Sequence, residues 1–356
     1  MVKRIKQFSL IALAGVLLVV ALVAIKLSTF GSSILNVSEE QISYVVEPGK
    51  GLIRVINQLK ERGIIDDARS FLWFARLSGR ANNIRTGEYI IERGMTVDEL
   101  LDNMVEGKVK QYSLTLVEGL NFKQTMELIA SDSTLMKTLP DLSAETVMTA
   151  LGRPGEHPEG RFLPDTYHFP LGTTDIAFLK RAFNAMEEVL SRLWEDREQN
   201  LPYDSAYEAL TMASIVEKET AVPEERNQIA GVFVRRLQKR MRLQTDPTVI
   251  YGMGDKYKGN IRKRDLRRDT PYNTYTRRGL PPTPIAMPGE KAILAALHPE
   301  PGDALYFVAK GDGSHHFSAT NEEHVMAVRK YQIKKRRKDY RSTPQNGQNP
   351  SKDISS

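Results

Sequence analysis

The sequence predicts an α+β protein on an N-terminal transmembrane helix, with small α/β units preceding a mixed α+β domain. Three observations predict it. An apolar run near the N-terminus is long enough to cross a bilayer. A strand, glycine turn and amphipathic helix then recur three times. Beyond these, a helix-rich stretch gives way from residue 243 to short elements and loops dense in Tyr, Thr, Pro and Gly.

The chain opens "MVKRIKQFSLIALAGVLLVVALVAIKLSTFGSS", and from Phe8 to Ile25 no residue is charged, giving about 18 mostly apolar residues. Lys3, Arg4 and Lys6 precede the run and only Lys26 follows closely, so the positive-inside bias keeps residues 1–7 cytoplasmic. A cleaved signal peptide would have a shorter apolar core ending in an Ala-x-Ala-like site, which "KLSTFGSS" does not offer. The expectation is an uncleaved single-pass anchor over 8–27, a tether over 28–40, and the rest outside the cytoplasm. The inner (plasma) membrane is the expected location.

At 356 residues, with 41% hydrophobic and 26% charged residues, the chain can bury more than one core, and wholesale disorder is excluded. The absence of cysteine excludes disulfides, thiolate metal sites and a cysteine nucleophile. The net charge of +6 is clustered in "RRLQKRMR" (235–242), "RKRDLRR" (262–268) and "KKRRK" (334–338). Outside the cytoplasm such runs read as solvated or anion-facing surfaces rather than as a nucleic-acid interface. A cytosolic location would revive the nucleic-acid reading.

The three units are "ISYVVEPGKGLIRVINQLKERGII", "GEYIIERGMTVDELLDNMVEGK" and "YSLTLVEGLNFKQTMELIA". In the second, Val97, Leu100, Leu101, Met104 and Val105 share a helical face, and Thr96 with Glu99 forms a capping box. Trp73 and Phe74 read as core. Thr174 caps a long helix with Ile176, Leu179, Phe183, Met186, Leu190 and Leu193 on one stripe. "LPYDSAYEALTMASIVEKET" and "PEERNQIAGVFVRRLQKRM" contain the next two helices, and "ALYFVA" is the clearest strand. The tail over 339–356 is too poor in apolar residues to fold.

Gly-x-Ser-x-Gly, the phosphate-binding Gly-x-x-x-x-Gly-Lys and His-Glu-x-x-His are all missing. His315, His316 and His324 are weak grounds for a metal, and neither metal nor cofactor is expected. The carboxylates of "EKE" are more informative. At about 100° per residue, Met212, Ala213, Val216 and Thr220 share one face, with Glu219 near its Met212–Ile215 edge and Glu217 near its Leu210 edge. A carboxyl against an apolar wall gains the raised pKa that a general acid needs. Periodicity alone chooses neither glutamate, and a solvated helix end stays open.

"ASIVEKETAVPEERNQIAGVFVRRL", "MRLQTDPTVIYGMG", "YNTYTRRGLPP", "PIAMPG" and "ALHP" stand in one order, with "EGRFLPDTY" before and "YFVAKGDGSHHFS" after. From the anchor to about residue 335 the sequence resembles the YceG-like endolytic murein (peptidoglycan lytic) transglycosylases of bacteria. The resemblance implies a LysM-like region over 41–110 that contacts glycan, and a catalytic domain over 111–338. It implies a lyase that cleaves the β-1,4 bond between N-acetylmuramic acid and N-acetylglucosamine within peptidoglycan strands. Glu219, the second carboxylate of "EKE", would be its single general acid and base. The muramyl C6 hydroxyl would attack internally to leave a 1,6-anhydro end, so one carboxylate can suffice where hydrolases use two.

The remaining candidates are substrate-binding. Tyr251, Tyr272 and Tyr275 would stack on sugars, and Asn273 and Gln244 would bond hydroxyl or acetamido groups. Thr245 joins this set. Asp246, before Pro247, reads as a helix N-cap or a catalytic partner. Glu217 is expected to hold up the pKa of Glu219 or to pair with an arginine. Glu159 and Asp165, beside Thr166 and Tyr167, shape the cleft wall, and His315, which matches the family's His-x-Phe, reads as a substrate hydrogen-bonder or a structural loop histidine. The implied partners are glycan strands and peptidoglycan synthases such as penicillin-binding proteins, with no nucleic acid. The alternative function is a non-enzymatic, membrane-anchored glycan-binding scaffold of cell-wall synthesis.

Overall fold

The computed structural model describes residues 2–220 and 222–334, and shows a mixed α+β protein that begins with an apolar helix. The expected tail over 339–356 and most of "KKRRK" lie outside the described residues. The chain divides into two compact units, residues 1–113 with 168–173, and residues 114–167 with 174–356.

In the first unit, α1 (Val2–Gly31) is followed by β1 (Gln41–Val46), α2 (Leu52–Glu61), α3 (Ala68–Leu77), β2 (Gly87–Glu92) and α4 (Val97–Glu106). Leu13–Gly31 is long and apolar enough to cross a membrane, with a mean hydropathy of 2.4, and its residues before Leu27 are exposed. The helix continues into the residues read as a tether. Phe30 meets Phe71 and Phe74 edge-on, with centroids 6.5 and 5.9 Å apart, and Leu27 packs on the same core.

β1 and β2 pair antiparallel, Gln41 with Glu92 through Val46 with Gly87. Period-two alternation turns Tyr44, Val46, Tyr89 and Ile91 inward, against Val55, Ile56 and Leu59 of α2 and Leu100, Leu101 and Met104 of α4. The Thr96–Glu99 capping box is present, and Gly107 ends α4 in a left-handed conformation. Phe74 is in the core, but Trp73 is 59% exposed. Consecutive helical positions point about 100° apart, and only one of the two reaches the interior.

Two of the three boundaries between the units fall within β3 (Gln111–Thr115) and β4 (Thr166–Pro170), and the third falls just before Thr174. The second unit contains α5 (Phe122–Ser131), α6 (Ala144–Ala150), α7 (Asp175–Glu195), α8 (Ala206–Glu219), α9 (Arg226–Gln238), α10 (Asp246–Met253), α11 (Lys263–Arg267) and α12 (Glu290–Leu297). An antiparallel hairpin of β5 (Tyr306–Ala309) and β6 (His315–Ser318) precedes α13 (Asn321–Val328). Thr174 caps α7 as expected, accepting from the Ala177 N–H.

α8 is the axis of this unit. Every residue from Ala209 to Val216 is buried, with α12, α9, α7 and α10 packed around it. A helix covered on all sides has no wet face, so its weak amphipathicity is what its position demands. Ser214, fully buried, donates to Thr211 O at 2.7 Å and accepts the Ile285 N–H at 2.9 Å, which pins the 283–289 loop to the helix.

Candidate active site

α8 emerges from the core at its C-terminus, and there its last residues become polar. Lys218 is exposed, whereas Glu217 and Glu219 are half-buried. The two glutamates have different surroundings. Glu217 Oε2 accepts the Gly289 N–H at 3.1 Å, and its Oε1 lies 3.7 Å from Arg226 Nη2. Burial and the neighbouring Glu118 raise its pKa, against the pull of Gly289, Arg226 and Lys218. Lys218 reaches Gly119 O at 3.0 Å, and Gly119 and Leu120 exchange main-chain bonds with Met287. Glu217 is thus committed to holding the loops around the helix end.

Glu219 has one hydrogen-bond donor among the described residues, the Thr245 hydroxyl, which bonds Oε1. Oε2 has no hydrogen-bond partner among the described residues. The protein packed around the half-buried carboxyl raises its pKa to about 7; the Thr245 bond pulls it down and Asp246 pushes it up. The group therefore carries a proton for a large part of the time near neutral pH, as an acid catalyst must.

Thr245, Asp246 and Tyr275 are placed by two loops that bond each other. Gln244 has φ +54°, a left-handed turn that delivers Thr245 to the start of α10. Thr245 N bonds Thr274 Oγ1 at 3.1 Å, and Thr248 Oγ1 lies 2.9 Å from the same hydroxyl. Thr245, rather than Asp246, is the N-cap of α10. Asp246 is the first helical residue, with Pro247 behind it, and accepts the Tyr275 hydroxyl at 2.6 Å. Burial and Asp246 raise the Tyr275 pKa, so the phenol stays a donor.

A second buried carboxyl, from the loop before β4, packs against α10. Glu159, 2% exposed, accepts the Tyr251 hydroxyl at 2.8 Å and the Phe122 N–H at 2.9 Å. Burial raises it to about 7, although both of these bonds favour the charged form. Tyr251 meets Tyr272 edge-on at 4.8 Å, and the Tyr272 hydroxyl lies 2.9 Å from Thr283 Oγ1. Gly160 has φ +79°, and a Cβ there would lie 2.7 Å from Pro284, so "EGRF" needs its glycine.

The structure thus gathers Glu219, Gln244, Thr245, Asp246, Tyr275, Tyr251 and Tyr272 about α8 and α10. Gln244 and Asp246 are exposed and Tyr251, Tyr272 and Tyr275 half-buried, so all five can meet a ligand. Asn273 has a different task from the one expected. It is 1% exposed, and its amide nitrogen donates to Asp265 O, Leu266 O and Arg268 O at 3.3, 3.1 and 2.7 Å. Tyr167 is also spent internally. It is 7% exposed, donates to Leu163 O at 2.8 Å and packs on Phe178. Thr166 is exposed and lies 2.8 Å from the Thr115 hydroxyl.

His315 is buried against Phe307, with Nδ1 2.7 Å from Glu225 Oε2 and its N–H on Glu225 Oε1. This pair ties the β5–β6 hairpin to the segment that follows Glu219. Sequence reading missed Glu225 and the Glu159–Tyr251 bond, because both join residues distant in the chain. Among the described residues, no group of three or more His, Asp or Glu could hold a metal.

The YceG-like family model matches residues 44–330. The chain is 31% identical over 328 residues to an endolytic murein transglycosylase of Bacillus subtilis (strain 168), across 85% of this chain and 89% of that one. It is 26% identical over 332 residues to the endolytic murein transglycosylase of Streptococcus pneumoniae serotype 2 (strain D39 / NCTC 7466), across 81% of this chain and 58% of the pneumococcal one. A crystal structure of a YceG-like protein from Listeria monocytogenes has a TM-score of 0.51 and 31% identity, covering 82% of this chain and all of that one. A match over most of the length, running through the helix that ends in Glu219 and the loops that serve it, makes this chain a member of the YceG-like family.

Proposed function

We propose that this protein is a membrane-anchored endolytic lytic transglycosylase of peptidoglycan, with Glu219 as its acid and base. One observation carries the reading. Among the site residues, Glu219 alone combines a pKa raised to about 7, a single fixed donor and a carboxyl oxygen left unbonded. Relatives named endolytic murein transglycosylase support the reaction class.

Protonated Glu219 gives its proton to the glycosidic oxygen between N-acetylmuramic acid and N-acetylglucosamine. The carboxylate then takes the proton from the muramyl C6 hydroxyl as that oxygen attacks C1, so the 1,6-anhydro end forms without water. Thr245 orients the carboxyl and, by favouring its charged form, helps it release the proton. Tyr275, Tyr251 and Tyr272 offer aromatic faces to sugars, and Gln244 and Asp246 offer polar groups.

α1 serves as the anchor, with residues 41–110 as a LysM-like glycan contact and 111–338 as the catalytic region. The β1–α2–α3–β2 order with antiparallel pairing supports the LysM-like assignment. Placement at the inner membrane, with the second unit outside the cytoplasm, would bring the enzyme to glycan strands as peptidoglycan synthases make them.

Purified peptidoglycan incubated with the full chain in detergent, and with Glu219→Gln, tests this by mass spectrometry. Anhydromuramyl ends are expected from the parent and a loss of at least about a hundredfold from the variant. Hydrated reducing ends would make the protein a hydrolase. Glycan binding without cutting by either protein would favour the scaffold.

A further inference from the structure

Beside the candidate active site the second unit carries a cavity of about 900 Å³ lined by Lys256, Lys258, Arg262, Arg264 and Arg268, with Asp265 the one carboxylate among its lining residues. The acids around it are already engaged. Asp255 pairs with Lys123 at 2.8 Å and Asp269 with Arg277 at 2.8 Å. Asp265 accepts the Arg262 N–H at 2.9 Å and lies 3.8 Å from Arg264. Five cations around one concavity repel each other, and the repulsion is relieved by a ligand with several negative charges.

The location says which anion. The far end of α10, at Val249, Gly252 and Met253, lines this cavity, while the near end carries Thr245 and Asp246. Eight residues of helix separate the two ends by roughly 12 Å. Asn273 adds a second link, because its amide bonds carbonyls of the basic segment while its own loop supplies Tyr275 to Asp246. A glycan strand with its scissile bond at Glu219 would carry neighbouring sugars, and the peptides that hang from them, along this distance.

We propose that the basic cavity is a subsite for the carboxylate-rich peptide stem of the glycan, so that cutting depends on the stem. The proposal rests on the transglycosylase reading above. Arginine matches a carboxylate with two parallel N–H bonds, and the two lysines add mobile point charges. Phospholipid headgroups and nucleic-acid phosphates share the charge but have no reason to lie beside Glu219.

The full chain in detergent is offered peptidoglycan with its stems and the same glycan stripped of them by an amidase. Anhydromuramyl ends are followed for the parent and for Lys256→Gln/Lys258→Gln/Arg262→Gln/Arg268→Gln, with a milder Lys256→Gln/Lys258→Gln variant in case the first misfolds. The parent is expected to cut stem-bearing glycan about tenfold faster than stripped glycan, and the ratio to fall toward one in the variants. A parent ratio near one, or a ratio unchanged by the variants, overturns the subsite.

Were the parent to cut neither polymer, the transglycosylase reading would fail, and titration with a free acidic stem tripeptide would decide the subsite by itself. Salt-sensitive binding that weakens about tenfold in the variants supports it. No binding by the parent, or tighter binding of glycerol phosphate or of a DNA oligonucleotide, overturns it.

Discussion

Burial raises both Glu159 and Glu219 to about 7, but their neighbours give them different work. Glu159 is almost sealed, with Tyr251 and Phe122 donating to its two oxygens, so it braces α10 and α5. Glu219 keeps one oxygen without a partner among the described residues. The consequence for Glu159 is one of stability. Folded, it holds its proton up to about pH 7, whereas unfolded it releases it near the ordinary value of 4.5. The native state thus binds more protons in that window. The stabilisation is complete below about pH 4.5 and is lost as pH rises through 7, by about 3 kcal/mol at most. Thermal midpoints from pH 5 to 7.5 should fall less steeply for Glu159→Gln than for the parent. Glu219 contributes a similar decline, so adding Glu219→Gln should flatten the curve further. An unchanged slope for Glu159→Gln would mean that Glu159 is already ionised in the fold.

At the scale of elements, what holds the site is the attachment of loops to α8. Ser214 is the inner fastening and Glu217 the outer one. Ser214→Ala leaves the buried Ile285 N–H without its acceptor, at a cost of about 1–3 kcal/mol. The urea midpoint should drop accordingly, and activity should fall with it as the 283–289 loop loosens; a wild-type midpoint would show that the N–H finds another acceptor. Much of the element pattern was legible in the sequence. The three strand–turn–helix units and the caps at Thr96 and Thr174 follow from period and capping chemistry, which are local. α8 was harder, because a helix buried all round gives no stripe. Its period left Glu217 and Glu219 undecided and the family resemblance pointed to Glu219, while the fold shows how their surroundings differ, Gly289 and Arg226 for one and Thr245 for the other. Asn273 and Tyr167 look like ligand-binding residues in a polar loop sequence, but the structure spends their donors on main-chain carbonyls, and the Asn273 oxygen accepts the Tyr275 N–H.

At the scale of the molecule, α1 is both a candidate membrane span and part of the first unit's core. Its last turn supplies Leu27 and Phe30 to the packing of α3, and a Cβ on Gly31 would lie 2.8 Å from the Phe74 ring. Two truncations separate the roles. Starting the chain at Lys26 should release the protein from membranes with the first unit's stability unchanged. Starting at Ser32 should also remove the Phe30 contacts, costing about 1–3 kcal/mol in the same unfolding measurement. Equal stability of the two would mean that the helix end is only resting on the unit. The family assignment and the reaction class came from motifs whose order is legible in sequence, whereas the basic cavity and the Glu159 brace required the fold.

The central claim is that Glu219 is the acid whose protonation sets the rate, and a pH–rate profile tests it most directly. The parent should lose kcat/KM as pH rises through about 7, when the Glu219 proton is lost. Thr245→Val removes the hydroxyl that favours the charged carboxyl, so this limb should move to higher pH, while Glu159→Gln should leave it in place. A limb that moves with Glu159→Gln and not with Thr245→Val, or a parent rate with no fall across neutral pH, would contradict the assignment.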